Sequence, residues 1–118
     1  MKKILVADDE ADIRKLIKKT LLKEYEILEA ADGIEAVSKA SEHKPDLILL
    51  DIMMPNQDGY KTCMRIKAAE DTRDIPVVML TGVDYALNRK LGEQLGAADY
   101  ITKPFQIDML VEAIKRLV

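Results

Sequence analysis

Five polar side chains that could act together follow short apolar runs in this sequence. The acidic pair Asp8 and Asp9 follows the first such run, and Asp51 follows a second. Thr81 and Lys103 follow two further runs. Buried runs of this kind are typical of parallel strands, whose carboxyl ends meet at the same edge of a sheet. The pattern therefore predicts that three carboxylates, a hydroxyl and an ammonium converge at one edge.

Carboxylates brought this close together favour a divalent cation. Two carboxylates about 4 Å apart repel by roughly 4 kcal/mol at an effective dielectric constant of about 20. Three together either retain a proton or bind a cation, and with oxygen ligands alone the natural candidate is Mg²⁺. A carboxylate nucleophile beside a metal ion, an ammonium and a hydroxyl is suited to phosphoryl transfer, in which Asp51 becomes an acyl phosphate.

Each of these residues has a simpler interpretation when it is taken alone. Asp9 or Glu10 could merely cap a helix, where a carboxylate complements the helix dipole. Asp51 could form a turn, Thr81 could cap a helix, and Lys103 before a proline could be an ordinary surface residue. The observation that favours chemistry is that such residues follow four different strands, always at the same end.

Short apolar runs alternate with segments of helical periodicity along the chain. Nearly continuous apolar runs predict buried strands, and runs that mix in polar residues predict edge strands. The buried runs are Ile4–Ala7, Leu47–Leu50 and Ile75–Leu80, and the edge runs are Tyr25–Ala30 and Asp99–Thr102. This alternation predicts an α/β fold with a doubly wound, flavodoxin-like parallel sheet of five strands in the order 2-1-3-4-5 and five helices on its two faces.

The helices are predicted from apolar residues at helical spacing. Two weaker helices fit roughly residues 33–43 and 59–69, and Gly96 is predicted to end the fourth helix by adopting a positive φ. The stronger helices carry these apolar faces: Ile13, Leu16, Ile17 and Leu21 in the first, Leu87, Leu91 and Leu95 in the fourth, and Phe105, Met109, Leu110, Ala113, Ile114 and Leu117 in the last.

The composition indicates one globular domain over residues 1–118. Hydrophobic residues make up 48% and charged residues 33%, which excludes a disordered chain. The net charge of −3 argues against direct binding of nucleic acid or an anionic membrane by this domain. Cys63 is the single cysteine, so an internal disulfide and a thiolate metal cluster are excluded. Because no apolar run approaches the roughly 18 residues of a membrane span and no signal peptide is visible, we expect a cytoplasmic protein.

Four motifs in order resemble the receiver domains of two-component response regulators, with a fold like that of the chemotaxis regulators. The likeness extends from Lys2 to the last helix, and its specificity lies in the order and spacing of the motifs. The motifs are VADDE at 6–10, LLDIMMPNQDG at 49–59, MLTG at 79–82 and GAADYITKPF at 96–105.

The resemblance implies roles for the acidic residues and the lysine. Asp51 would accept the phosphoryl group, and Lys103 would contact a phosphoryl oxygen. Asp9 and Asp51 would bind Mg²⁺ directly, together with the main-chain carbonyl of Met53. Asp8 would act on the same metal ion largely through water. The expected cofactor is therefore Mg²⁺.

The resemblance also implies a switch and a lifetime for the phosphoryl group. Thr81 would swing to the phosphoryl group, and Tyr100 would turn inward with it. The bond between Lys103 and Pro104 would be cis. Met53 and Val83 would flank the route of an attacking water. Because both are apolar, we expect slow self-dephosphorylation.

The implied function is a phosphorylation-dependent signalling switch that assists only its own phosphorylation and dephosphorylation. A histidine kinase or phosphotransfer protein would donate the phosphoryl group. The surface of the fourth helix, fifth strand and fifth helix would then change for a downstream target. The alternative is a phosphorelay carrier or a stand-alone regulator without an effector domain. Because the sequence ends at Val118, directly after the last helix, we expect either one of these forms or a domain cut from a longer protein.

Two further functional alternatives are weaker. An aspartyl-nucleophile phosphatase would place a second Asp two residues after the nucleophile, where this sequence has Met53. A degenerate receiver that binds partners without phosphorylation would lack an acidic or lysine residue of the site, and all of them are present.

Residues outside the motifs carry less specific expectations. His43, the only histidine, is interpreted as a solvated loop residue, and Cys63 as part of the core. The first helix has a basic side that is most often solvated, although in this fold that helix commonly contacts the kinase. Its lysines are Lys15, Lys18, Lys19 and Lys23.

Overall fold

The computed structural model of the protein has one parallel sheet of five strands with helices on both faces. The structure describes residues 1–81, 90, 93–103 and 105–118, with Thr81 described by its main chain. The strands are β1 (Lys2–Ala7), β2 (Tyr25–Ala30), β3 (Leu47–Asp51), β4 (Val77–Thr81) and β5 (Asp99–Thr102). The helices with defined bounds are α1 (Ala11–Leu21), α2 (Gly33–His43), α3 (Gly59–Ala68) and α4 (Ile107–Leu117), the last being the helix predicted as the fifth.

The strand order is β2-β1-β3-β4-β5, which confirms the prediction of order and of the two edge strands. All four strand pairs are parallel. The chain order reverses between β1 and β3, so these two strands flank the crevice at which ligands bind in open α/β sheets. Their register pairs Ala7 with Leu50, and the residues that follow each therefore lie side by side at the carboxyl edge.

Alternation along the strands divides the interior into two apolar layers. On one face, Ile4, Val6, Leu47, Leu49, Val78 and Leu80 pack against α1 and α4. On the other face, Leu5, Ala7, Ile48, Leu50, Val77 and Met79 pack against α2 and α3. β1, β3 and β4 are buried on both faces because each contributes alternate side chains to both layers, which explains their continuous apolar sequences.

Two apolar residues used to predict helices are exposed at the surface. Leu16 is 46% exposed in α1 and Met109 is 58% exposed in α4. In α1 the buried positions are Ile17 and Leu21, one helical turn apart, and Leu16 lies at the edge of that stripe. The strand predicted from Ile75 begins at Val77, because Pro76 has no amide hydrogen for the ladder. Phe105 precedes α4 but packs against the core formed with it.

The prediction of a fourth helix falls mainly outside the described residues, which include neither Leu87 nor Leu91. Lys90, Glu93 and Gln94 are helical, and Leu95 lies in the turn after them. Gly96 has φ 91° and donates a hydrogen bond to the carbonyl of Glu93 at 3.1 Å, which agrees with its predicted role as a helix stop.

The structure also places the single histidine and the single cysteine, and it bears on the question of a membrane span. His43 is the last residue of α2 rather than a loop residue, and its side chain is half-exposed. Cys63 lies in α3 and is fully buried in the core, as predicted. In the part of the chain that the structure describes, no helix is both long and apolar enough to cross a bilayer.

Gly59, the first residue of α3, brings that helix directly against the end of β3. A Cβ at this position would lie 2.4 Å from the carbonyl oxygen of Asp51 and 2.6 Å from Cα of Ile52. The amide of Gly59 donates to the carbonyl of Ile52 at 2.8 Å. The absence of a side chain therefore allows the first residue of α3 to lie against the main chain at the end of β3.

We predict that Gly59→Ala lowers the free energy of unfolding by about 1–3 kcal/mol, because the added methyl group overlaps main-chain atoms. Helix propensity alone would give the opposite sign, a gain of about 1 kcal/mol. Ala11→Gly, at the exposed first residue of α1, is the matched control and should cost no more than about 1 kcal/mol. Urea denaturation measures both, and a stabilised Gly59→Ala protein would contradict the close approach.

Candidate functional site

The carboxyl edge of the sheet brings together three of the residues selected from sequence. Asp8 directly follows β1, Asp51 ends β3, and Lys103 directly follows β5. Asp8 is fully buried and Asp51 is 4% exposed. Ionisable groups are rarely buried to this extent unless they are paired, so their partners decide what the site can do.

The ammonium of Lys103 is that partner. Its Nζ donates to Oδ2 of Asp8 at 2.7 Å and lies 3.5 Å from Oδ1 of Asp51. The lysine therefore reaches from the edge strand β5 past β4 to the two carboxylates at β1 and β3. Burial acts to lower the pKa of Lys103, but the hydrogen bond to Asp8 and the charge of Asp51 outweigh it and raise that pKa. The lysine thus stays charged throughout the ordinary pH range.

Asp51 remains the less compensated carboxylate. Burial raises its pKa from 3.8 to about 6, with a further increase from the charge of Asp8. Lys103 and the amide of Met53, which donates to Oδ1 of Asp51 at 3.3 Å, act in the opposite direction and limit the shift. At neutral pH the group is mainly ionised, and it is a more basic carboxylate than an exposed aspartate. Both properties suit a nucleophile.

A second carboxylate group lies at the end of β1. Carboxylate oxygens of Asp8, Asp9 and Glu10 lie within 4.8 Å of one another, and Asp9 and Glu10 are exposed. This all-oxygen set, open to solvent and next to Asp51, fits a hard cation such as Mg²⁺, which keeps several waters. Glu10 stands at the N-cap position of α1 without a side-chain capping bond, so the simple capping interpretation does not account for it.

The remaining predicted residues are placed less completely. Thr81 ends β4 and pairs with Thr102, but its side chain, Val83 and Pro104 lie outside the described residues, as does the predicted cis bond. Met53 is 75% exposed in the loop after β3. Tyr100 lies in β5 with its hydroxyl oxygen buried.

Three residues near the site were not selected from sequence. Arg14 and Glu29 form a salt bridge at 3.1 Å, and Arg14 also donates to the carbonyl of Asp8. Tyr60, in α3, lies beside Tyr100. Burial is the main cause that raises the pKa of Tyr60 to about 12, and the interaction with Tyr100 adds to it. The sequence carries no signal for Arg14, because its spacing does not distinguish it from the lysines of α1. The tyrosine pairing joins residues 40 positions apart and gives none.

Comparisons with known proteins agree with this geometry. The family model "Response regulator receiver domain" matches residues 4–115. The chain is 43% identical over 119 aligned residues to the alkaline phosphatase synthesis transcriptional regulatory protein PhoP of Bacillus subtilis. That match covers 98% of this chain and 49% of PhoP. The chain thus spans about half the length of this relative.

Solved structures give the same result. Chemotaxis protein CheY4 of Vibrio cholerae superposes with a TM-score of 0.94 at 31% identity, covering 100% of this chain and 99% of the other. The receiver domain of sensor histidine kinase PA1611 from Pseudomonas aeruginosa, whose structure has a magnesium ion coordinated in the active site cleft, gives a TM-score of 0.90 at 32% identity, covering 98% and 96%. The chain therefore belongs to the response regulator receiver domain family, whose domains act in phosphorylation-dependent signalling.

Proposed function

We propose that Asp51 is the phosphoacceptor of this receiver domain and that Mg²⁺ bound beside it assists the transfer. The observation that carries this proposal is the pair of buried carboxylates, Asp8 and Asp51, that share the ammonium of Lys103. Of the two, Asp8 makes the closer contact with the lysine. Asp51 is the one with the raised pKa and the looser contacts. Asp51 is therefore the carboxylate available for reaction.

In the proposed reaction a carboxylate oxygen of Asp51 forms a bond to phosphorus while the bond from phosphorus to the donor breaks. The donor is a phosphohistidine of a histidine kinase or phosphotransfer protein, and the transfer takes place in the cytoplasm. Transfer of this kind needs positioning and charge neutralisation more than covalent assistance. Lys103 supplies one fixed positive charge beside Asp51 and would contact a phosphoryl oxygen.

The metal would be held by Asp9, Asp51 and the main-chain carbonyl of Met53, with Asp8 acting through water. Mg²⁺ supplies positive charge next to the incoming phosphoryl oxygens. The magnesium ion in the cleft of the PA1611 receiver domain supports this assignment by similarity. Glu10, the third carboxylate of the cluster, would act on a water of the metal ion.

The output of the domain would be a change in one of its surfaces. Thr81 and Tyr100 would form the switch, and the surface built from the predicted fourth helix, β5 and α4 would bind the downstream target. PhoP is a transcriptional regulator, whereas PA1611 is a histidine kinase that carries a receiver domain. The relatives thus support both an effector-linked regulator and a carrier or stand-alone form.

Incubation with acetyl phosphate and Mg²⁺ should add one phosphoryl group to the protein. Intact-mass spectrometry measures the gain, which should be absent in Asp51→Asn and in samples with excess EDTA. Asp12→Asn, at an exposed position in α1, is the matched acidic control and should be phosphorylated like the wild type. A full mass gain in Asp51→Asn would show that another residue is the acceptor.

In the metal-free protein, Asp51→Asn should raise the free energy of unfolding by roughly 1–3 kcal/mol near pH 7.5. The pKa of Asp51 is raised to about 6 in the folded state, so folding favours the protonated acid. The wild type therefore loses stability as pH rises from about 4 through 6, and the asparagine variant does not. Urea denaturation in EDTA across this pH range measures the difference, which should vanish near pH 4.

Two controls accompany this measurement. Glu26→Gln, an exposed carboxylate of β2, should leave the pH dependence of stability unchanged. Saturating Mg²⁺ should stabilise the wild type more than Asp51→Asn, because the metal binds the folded state through the carboxylate. An asparagine variant that is less stable than the wild type at neutral pH without metal would contradict the electrostatic description of the site.

Met53→Asn should shorten the lifetime of the phosphoryl group by about five- to tenfold. The reason is that an amide can hold an attacking water through a hydrogen bond worth about 1 kcal/mol, which the thioether cannot. Met53 is 75% exposed, so the substitution should leave the fold intact. Decay of the phosphorylated protein is followed by intact mass. Met64→Asn, at an exposed position in α3, should decay like the wild type, and an unchanged lifetime in Met53→Asn would refute the idea.

A further inference from the structure

Asp8 is held by four separate hydrogen bonds, two at its main chain and two at its carboxylate. Its amide donates to the carbonyl of Ala30 at 3.1 Å. Its Oδ1 accepts from the amide of Glu10 at 2.9 Å, and its Oδ2 accepts from Lys103 at 2.7 Å. The fourth bond comes from Arg14, whose Nη1 donates to the carbonyl oxygen of Asp8 at 2.6 Å.

The guanidinium of Arg14 is itself held by two hydrogen bonds. It lies in the first half of α1, and its side chain is 17% exposed. Its Nε donates to Oε1 of Glu29 at 3.1 Å, while Nη1 makes the bond to Asp8. Glu29 belongs to β2, where its register partner is Val6 in β1. The guanidinium therefore connects a helix and an edge strand to the peptide that joins Asp8 to Asp9.

That peptide restricts the directions in which the exposed carboxylate of Asp9 can point. The carbonyl of Asp8 lies in the same rigid plane as the amide of Asp9. A bond that fixes the carbonyl oxygen thus fixes the amide plane and restricts the direction of the next side chain. No side chain among the described residues is hydrogen-bonded to the carboxylate of Asp9, so the direction of this side chain depends on the main chain.

We propose that Arg14, anchored by Glu29, is a positioning residue that sets the affinity of the acidic cluster for a divalent cation. Arg14 acts through the main chain of Asp8 and touches neither the metal ion nor the phosphoryl group. This inference rests on the proposed function, because it takes the Asp8, Asp9 and Asp51 site as the place where Mg²⁺ binds. It assigns to α1 and β2 a part in building that site.

Electrostatics alone would give the opposite result, which makes the proposal testable. Arg14 is a positive charge near a cation site, so its removal would strengthen Mg²⁺ binding if charge were its only contribution. Its loss would also leave Glu29 with the more distant Lys18, at 3.8 Å, and so make the region more negative. Positioning predicts weaker binding, since the Asp8 carbonyl loses its anchor.

The experiment titrates Mg²⁺ into the folded protein and follows amide NMR shifts, at a temperature where each variant is fully folded. Arg14→Met should raise the Kd for Mg²⁺ by about tenfold, the usual scale for losing a residue that orients a metal ligand. Lys18→Met is the matched control: it removes the same charge from the same helix and also contacts Glu29, but not Asp8. Its Kd should stay within about twofold of wild type, as expected for an exposed ion pair.

Arg14→Lys gives an independent reading if Arg14→Met does not fold. It keeps the positive charge, but one ammonium cannot reproduce the forked geometry of a guanidinium, so this variant should bind Mg²⁺ more weakly than the wild type. Glu29→Gln keeps the arginine and the Asp8 contact but removes the charge that anchors the guanidinium, and its Kd should rise by a smaller factor than that of Arg14→Met.

Three results would overturn the proposal. The first is a Kd for Arg14→Met that is unchanged or lower. The second is an equal change in Arg14→Met and Lys18→Met, which would reveal a charge effect alone. The third is an unchanged Kd in Glu29→Gln.

If the wild type itself binds no Mg²⁺ and is not phosphorylated, the proposed function fails as well. If the wild type binds and is phosphorylated while the variants match it, only the role of Arg14 fails.

Discussion

The burial of two carboxylates around one lysine is the interaction on which the rest of this structure depends. Asp8 and Asp51 are nearly inaccessible to solvent, and buried like charges are costly unless an opposite charge is present. Lys103 supplies that charge to both. It can do so only if β1, β3 and β5 end at the same edge, so the site needs the parallel sheet, its order and its crossovers. The fold and the charge balance are therefore one requirement.

The sequence predicts most of this architecture because the determinants are local. Strands buried on both faces are continuous apolar runs, and β2 and β5 keep the polar residues of edge strands. The convergence of Asp8, Asp51 and Lys103 at the carboxyl ends of three strands then follows from the parallel arrangement. Leu16 and Met109 are exposed although they fit the helical pattern, because periodicity identifies a face but not its exact edge, where a side chain is left exposed.

The side-chain contacts that refine the site could not be predicted in the same way. Arg14 meets Glu29 across 15 positions, and Lys103 meets Asp8 across 95. The second contact could be anticipated because both residues end strands. The first joins the side of a helix to an edge strand, and neither residue lies in a motif. Spacing alone does not distinguish Arg14 from the exposed lysines of α1, since the difference is whether the side chain turns toward the end of β1.

The four bonds to Asp8 also distinguish it from Asp51 in a way that fits the different roles proposed for the two carboxylates. Asp8 is held by its amide, its carbonyl and both carboxylate oxygens, at distances of 2.6 to 3.1 Å. The contacts to Oδ1 of Asp51 are longer, 3.3 Å from the Met53 amide and 3.5 Å from Lys103. A carboxylate that is firmly held in place serves as a fixed charge. A buried carboxylate with weak contacts and a raised pKa keeps electron density available for bond formation. The difference in bonding, more than the difference in burial, supports the proposal that Asp51 reacts while Asp8 serves as a fixed charge.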